Sequence, residues 1–298
     1  MGKLLFIYNT HAGKGLARLR LADMQEAFAA AGWTITAHPT QGAGDATETA
    51  QRLGAEYDRI VCSGGDGTLH EVVEGLLNLP AGQRPPVGYI PTGTTNDFAK
   101  NLRLPRGVAA MAAAAAFGVP RAVDIGRFND KCFVYVAAFG AFTDVSYNTP
   151  QQFKNLFGHL AYLLEAGARL GTIQSYPLTV EHDGGVIQGE FAYGMVSNTV
   201  SVGGFKGGPE QAVKLDDGLF EVALVRQPKN PIQLQAMLRA LLQGTSDQEG
   251  GVLWFQTRRL KVSCEAELPW TLDGEYGGSP KDAEIVNDAR AVTIIYGK

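Results

Sequence analysis

Cysteine is scarce in this chain of 298 residues, and Cys62, Cys132 and Cys264 stand too far apart in sequence to make a disulfide framework or a metal-binding pair. That usage is expected of a reducing, cytoplasmic setting. Long apolar runs are missing as well: hydrophobic residues reach 45% of the sequence, but no stretch approaches the roughly 18 to 20 residues that a membrane-spanning helix needs. The opening segment Met1-Gly2-Lys3-Leu4-Leu5-Phe6-Ile7-Tyr8 is apolar yet lacks a cleavage signature. Positive charge is not in surplus either. Lysine and arginine number 26 against 30 aspartates and glutamates, a net charge of −4, with no basic run to neutralise a phosphate backbone. A nucleic-acid partner is therefore not expected. The five histidines (His11, His38, His70, His159, His182) are dispersed, and His70-Glu71-Val72-Val73-Glu74 has Glu where a second zinc-binding His would sit. There is no Gly-x-Ser-x-Gly elbow and no cysteine with a neighbouring histidine, so a covalent nucleophile finds little support.

Glycine, by contrast, is abundant at 37 residues, and its placement carries the first positive signal. An apolar run Leu4 to Tyr8 is followed by the loop Asn9 to Gly15 and a helical stretch Leu16 to Ala31 closed by Gly32. Strand-like Trp33 to His38 precedes a Gly-rich loop and a helix capped by Asp45 that runs to about Leu53. Arg59 to Cys62 then leads into Gly64-Gly65-Asp66-Gly67-Thr68 and a helix with apolar Leu69, Val72, Val73, Leu76 and Leu77. Val87 to Ile90 leads into Pro91-Thr92-Gly93-Thr94-Thr95-Asn96-Asp97. Alternating strands and helices predict a doubly wound parallel α/β sheet that binds ligands at the carboxyl ends of its strands.

After the alanine-rich helix Val108 to Phe117 and the strand Ala122 to Ile125, extended runs take over: Cys132 to Phe139, Tyr176 to Glu181, Gly189 to Val196, Phe220 to Val225 and Leu260 to Cys264. His182-Asp183-Gly184-Gly185 reads as a hairpin turn, and Phe153 to Leu170 and Ile232 to Leu242 as the substantial helices of this half. The expected organisation is an α/β nucleotide-binding domain over residues 1–126 and a β-rich, sandwich-like domain over 127–298, whose final strand is free to pack back on the first domain.

Gly13-Lys14-Gly15 lacks the spacing of a Walker phosphate loop, and Gly42-Ala43-Gly44-Asp45-Ala46-Thr47 ends in Thr where a dinucleotide fingerprint wants Gly or Ala. Gly64 to Thr68 is stronger. Consecutive glycines after an apolar strand let backbone N–H groups wrap an anion, and the next helix adds its positive end. Asp66 among those donors calls for a cation such as magnesium, which points to a nucleoside triphosphate.

With Leu69 and Glu71-Val72-Val73, and with Pro91 to Ala99, this signature resembles the diacylglycerol kinase catalytic-domain family, most closely its bacterial lipid kinases. Val123-Asp124-Ile125-Gly126, Lys214-Leu215-Asp216-Asp217-Gly218 and Leu272-Asp273-Gly274-Glu275 extend the resemblance over nearly the whole chain in family order. It implies transfer of the γ-phosphoryl group of ATP to a lipid hydroxyl, with diacylglycerol as the leading acceptor. It also implies that Asn9, Thr10, His11, Ala12, Gly13 and Thr40 line the nucleotide. Gly64, Gly65, Asp66, Gly67, Thr68, Leu69, His70 and Glu71 would surround its phosphates, with Thr94 against the same ligand. Glu275 is the implied base, and Asp66 the acid of the phosphate loop. Magnesium would be held by the Asp217 carboxylate and the carbonyls of Lys214 and Leu219, with Asp216 as the alternative ligand and Asp66, Asp97 and Asp124 joined through water.

The chain departs from the resemblance at Thr10 and His11, where relatives often carry Pro and a small hydroxyl residue, and at His70, where Asn is frequent. Asn148 to Gly158, with Phe153 and Phe157 near Lys154, offers apolar residues beside a cation for transient approach to a membrane surface, although such residues are more often simply the core face and solvent face of a helix. The edges of a β-rich domain leave room for a homodimer. Two other functions share the phosphate-loop signature: a further small-molecule kinase, chiefly NAD kinase, and a nucleotide sensor without turnover.

Overall fold

The structure is a computed structural model that describes residues 2–140, 173–202, 205–206, 213–246 and 251–297. Phe153 to Leu170 and the membrane-approach segment Asn148 to Gly158 lie outside the described residues. The chain divides into two compact units, Met1–Asp124 with Ala289–Lys298, and Ile125–Asp288.

In the first unit β1 (Lys3–Tyr8) pairs in parallel with β2 (Thr34–Pro39) and with β3 (Arg59–Gly64), and β3 pairs with β4 (Val87–Pro91). On the far side of β4 the last strand of the chain supplies a further parallel neighbour, with Ile294 opposite Val87. Leu4, Leu5, Phe6 and Ile7 are all fully buried, as expected of a central parallel strand covered on both faces. The sequence between strands forms α1 (Leu16–Leu19), α2 (Leu21–Ala30), α3 (Asp45–Leu53), α4 (Asp66–Leu77) and α5 (Val108–Phe117). The single helix expected from Leu16 to Ala31 is thus interrupted, because the Arg20 backbone leaves the helical region at φ −112°, ψ 18°.

One core cluster joins Leu4, Phe6 and Tyr8 to Met24 and Phe28 of α2 and to Ala112, Ala115 and Ala116 of α5. Each large apolar side chain removed from water there contributes about 1.5–3 kcal/mol. The alanines of α5 matter because small side chains let its backbone come close: a Cβ on Gly88 of β4 would overlap Ala115.

The second unit is antiparallel. It contains the end of β5 (Val119–Phe128), then β6 (Lys131–Phe133), β7 (Val136–Gly140), β8 (Tyr176–His182), β9 (Gly185–Ser197), the short β10 (Ser201–Val202) and β11 (Phe205–Lys206), and β12 (Phe220–Arg226). After α6 (Pro231–Gln243) come β13 (Val252–Thr257), β14 (Arg259–Cys264), β15 (Trp270–Leu272), β16 (Glu275–Gly278) and the start of β17 (Asp282–Tyr296). The strand order is β16-β15-β7-β9-β8-β14-β17, with β12 between β9 and β13. The core is aromatic: the Trp270 ring lies 4.9 Å from Phe139 and 5.1 Å from Phe128, all three buried. α6 is capped by Asn230, whose side chain accepts from the Gln233 N–H at 2.8 Å, has Pro231 in its first turn and stops at left-handed Gly244. Asp183 and Gly184 form the connection between β8 and β9 expected from the sequence.

Candidate active site

The parallel register sets Tyr8 beside Ser63 and Gly64 beside Pro91, so the loops after β1, β3 and β4 leave the sheet together. Backbone bonds tie them. The Asn9 N–H donates to the Ser63 carbonyl at 2.8 Å, and the Thr92 and Gly93 N–H groups donate to the Gly64 carbonyl at 2.8 and 3.1 Å. A Cβ on Gly93 would overlap the Gly65 backbone, and one on Gly13, at φ 53°, would overlap the Thr92 carbonyl. Glycine at both positions is what lets the three loops touch.

Side chains complete the arrangement. Asn9 Nδ2 donates to Thr68 Oγ1 at 3.4 Å, while Asn9 Oδ1 accepts from the His11 N–H at 2.9 Å. Thr10 Oγ1 and His11 Nδ1 are 3.1 Å apart, and the Thr40 N–H donates to the Tyr8 carbonyl at 3.0 Å. α4 starts at this junction with glycine as its N-cap and no side chain capping it. Its positive end lies at the glycine loops, the arrangement that suits a phosphate, while the Thr68 and Leu69 N–H groups donate to the Gly65 carbonyl at 3.1 and 3.3 Å. Thr94 is exposed on the loop after β4, and Ala12 lies in the turn before α1.

Asp66 has a specific task. Its carboxylate accepts from the Asp97 N–H at 3.0 Å and the Phe98 N–H at 3.2 Å, clamping the Asn96–Phe98 segment to the start of α4. Asp97 is buried and accepts from Lys100 Nζ at 2.6 Å. Tyr89 and Asn96, to which the sequence alone assigns no role, also take part. The Tyr89 hydroxyl lies 3.4 Å from the Gly64 carbonyl and 3.3 Å from Asn96 Oδ1, and that oxygen also accepts from the Gly93 N–H. Burial, then the negative charges of Asp66 and Asp97, pushes the Tyr89 phenol well above its usual range, so it stays a donor. The only sequence sign of Tyr89 was an aromatic in an apolar strand, which reads as core.

Glu71 is directed elsewhere. Its two carboxylate oxygens accept from the Gly44 N–H at 3.0 Å and the Ala46 N–H at 3.2 Å, capping α3 from the neighbouring helix. The N-cap of α3 is Gly44 rather than Asp45, because the Asp45 carboxylate folds back to accept from the Gln41 N–H at 2.6 Å and from His38 Nε2 at 3.1 Å. Burial pushes the Asp45 carboxyl up, but the Gln41 N–H and His38 outweigh it and hold it below the ordinary value. Asp124 is fully buried in the same unit and accepts from the Arg290 N–H at 2.7 Å.

In the second unit Glu275 opens β16 with an exposed side chain, directly after the turn Asp273-Gly274. Asp217 Oδ1 accepts from the Leu219 N–H at 3.0 Å; Lys214 and Asp216 are exposed nearby in sequence. Glu221 is a residue that sequence reading missed, since it sits in an apolar strand. It is 1% exposed, its Oε1 accepts from Gln256 Nε2 at 3.1 Å, and its Oε2 has no hydrogen-bond partner among the described residues. Burial, and to a lesser degree Asp217, pushes its carboxyl up to about 7. A hard cation beside Asp217 would offset the charge that Asp217 and Glu221 concentrate here, and a carboxylate is the hard oxygen donor that suits magnesium.

Fold and site together define a mixed α/β protein with a glycine-built junction of three loops in its first unit, followed by an antiparallel β-rich unit. Residues 3–128 match the diacylglycerol kinase catalytic domain, and residues 137–295 match the YegS C-terminal NAD kinase beta sandwich-like domain. A diacylglycerol kinase of Bacillus subtilis (strain 168) is 35% identical over 301 aligned residues, covering 100% of this chain and 97% of that protein. One from Staphylococcus aureus (strain JH9) is 36% identical, covering 97% and 90%. The solved structure of a putative diacylglycerol kinase from Bacillus anthracis str. Sterne matches with a TM-score of 0.82 at 27% identity, over 99% of this chain and 95% of that one. The chain belongs to the diacylglycerol kinase family.

Proposed function

We propose that the protein is an ATP- and magnesium-dependent lipid kinase that phosphorylates a lipid hydroxyl, with diacylglycerol giving phosphatidic acid as the leading reaction. The observation that carries this reading is the cradle: three backbone loops joined at Gly65, Gly93 and Gly13 around the uncapped start of α4, in a chain of this family. Phosphoryl transfer needs little covalent chemistry from the protein, so alignment and charge stabilisation supply most of the rate.

In this reading the α4 amides hold the ATP phosphates, and Asn9 to Gly13, Thr40 and Thr94 line the rest of the nucleotide. Asp66 keeps the Asn96–Phe98 segment in place, so the loop after β4 stays against Gly65. Magnesium, when bound by Asp217 with the carbonyls of Lys214 and Leu219, supplies charge neutralisation; Asp97, Asp124 and Asp216 belong to the surrounding acidic network. Glu275 accepts the proton of the acceptor hydroxyl as its oxygen forms the bond to the γ-phosphorus; the bond from that phosphorus to the bridging oxygen breaks and ADP leaves. The lipid is reached from the membrane surface, and among the described residues no helix is long and apolar enough to cross a membrane.

The test is an acceptor panel: ATP, magnesium and mixed micelles of diacylglycerol, phosphatidylglycerol, sphingoid base or ceramide, with NAD in a parallel reaction. Labelled phosphatidic acid is the expected product. NADP with blank lipid lanes would overturn the reading. Glu275→Gln is expected to lower kcat at least about a hundredfold while leaving ATP binding intact, in the range of general-base contributions. Wild-type turnover in that variant would remove Glu275 from the chemistry.

A further inference from the structure

We propose that Asp273 is the positioning residue for Glu275, a role that rests on Glu275 being the base of the proposed reaction. Asp273 is 5% exposed, and its carboxylate is embedded in backbone donors. Oδ2 accepts from the Val134 N–H at 2.6 Å, and Oδ1 accepts from the Tyr135 N–H at 2.9 Å and the Val136 N–H at 3.0 Å. The main chain of the same residue is held as well: its N–H donates to the Val136 carbonyl at 2.8 Å, and its carbonyl accepts from the Tyr135 hydroxyl at 3.4 Å. Three consecutive amides on one carboxylate form a charge-assisted anchor stronger than neutral turn bonds.

Turn geometry makes the anchor matter for the next residue but one. Asp273 has φ 51° and Gly274 φ 89°, both left-handed, and Leu272 pairs with Glu275 across the connection. This is the two-residue hairpin in which both central residues need positive φ. Asn or Gly would satisfy that requirement as well as Asp, so backbone conformation alone does not select a carboxylate. The three N–H groups do, because an Asn side chain would turn an NH2 donor towards one of them. Through this anchor, the direction in which β16 starts is fixed by residues 134–136, and Glu275 is the first residue of β16. A displacement of about 1 Å at a reacting group can cost on the order of a hundredfold in rate.

The role separates from simple scaffolding by kinetics in paired backgrounds. Asp273→Asn and Gly274→Ala are made in the wild-type chain and in Glu275→Gln. The alanine meets no atom of the described residues within 4 Å, so it mainly strains the torsion and serves if the first variant fails to fold. Melting temperature and ATP binding report folding of each variant. Each substitution is expected to lower kcat at least about tenfold in the wild-type background, with KM for ATP within about twofold, and to cost less than about twofold more in Glu275→Gln, as residues acting as a unit do. Wild-type kcat in a folded Asp273→Asn or Gly274→Ala chain, or the same loss in both backgrounds, would overturn the positioning role. Full activity in Glu275→Gln itself would instead fell the base assignment, and the positioning role with it.

Discussion

A single methyl group tests the cradle at the residue scale. Gly93 and Gly65 approach so closely that a Cβ on Gly93 would overlap main-chain atoms, which cannot swing aside as a flexible side chain can. Gly93→Ala is expected to cost about 1–3 kcal/mol of stability, the usual range for overpacking, and to raise KM for ATP at least about tenfold. Steady-state kinetics at fixed lipid checks it, and an unchanged KM would show that the loop contact is dispensable. Residue identity was only partly legible here. The glycines and Asp66 stood out because their types are costly unless a ligand or a turn requires them. Tyr89, Glu221 and the anchoring carboxylate of Asp273 did not, because their partners are backbone groups or side chains 7 to 139 residues away in sequence.

At the scale of elements, α3 is held by two acids that do different work: Glu71 caps it from α4, and Asp45 ties its first turn to Gln41 and His38. The loop carrying Thr40 lies between these anchors. The folded pKa of Asp45 sits below the ordinary 3.8, so its contribution is complete above that value and is lost as the pH falls through the folded one. Urea unfolding should therefore place Asp45→Asn below wild type at pH 6, and the gap should narrow at pH 3. A constant gap would mean that the ionised form makes no difference.

Elements with a strong period were readable: the four parallel strands and α3 to α5 follow from apolar runs and glycine breaks. Others were not. β13, β15 and β16 are short and carry Trp, Gln, Glu or Gly in place of an unbroken apolar run, and β17 alternates polar and apolar residues through Asn287-Asp288-Ala289-Arg290. Such strands are specified by their neighbours more than by their own composition.

For the whole molecule, the division of the chain is not sequential. Residues 289–298 belong with the first unit, where Ile294 pairs with Val87, the Arg84 guanidinium donates to the Ala291 carbonyl at 2.8 Å and the Gly297 N–H donates to the Leu102 carbonyl at 2.8 Å. Arg121 also lies over the Tyr296 ring at 5.1 Å. Deleting residues 289–298 is expected to lower the melting temperature of the first unit and weaken ATP binding, although no residue of the cradle is removed. Calorimetry on the truncated chain reads both, and unchanged values would make this strand an ornament of the sheet.

The same strand has a consequence for synthesis. A chain leaving the ribosome releases its amino-terminal half first, yet the sheet of that half lacks one strand until residues 289–298 emerge. β4 must wait with an unpaired edge throughout translation of the second unit. The half that is made first is therefore completed only after the second, and a nascent or prematurely terminated chain cannot pair the open edge of β4 before residues 289–298 exist.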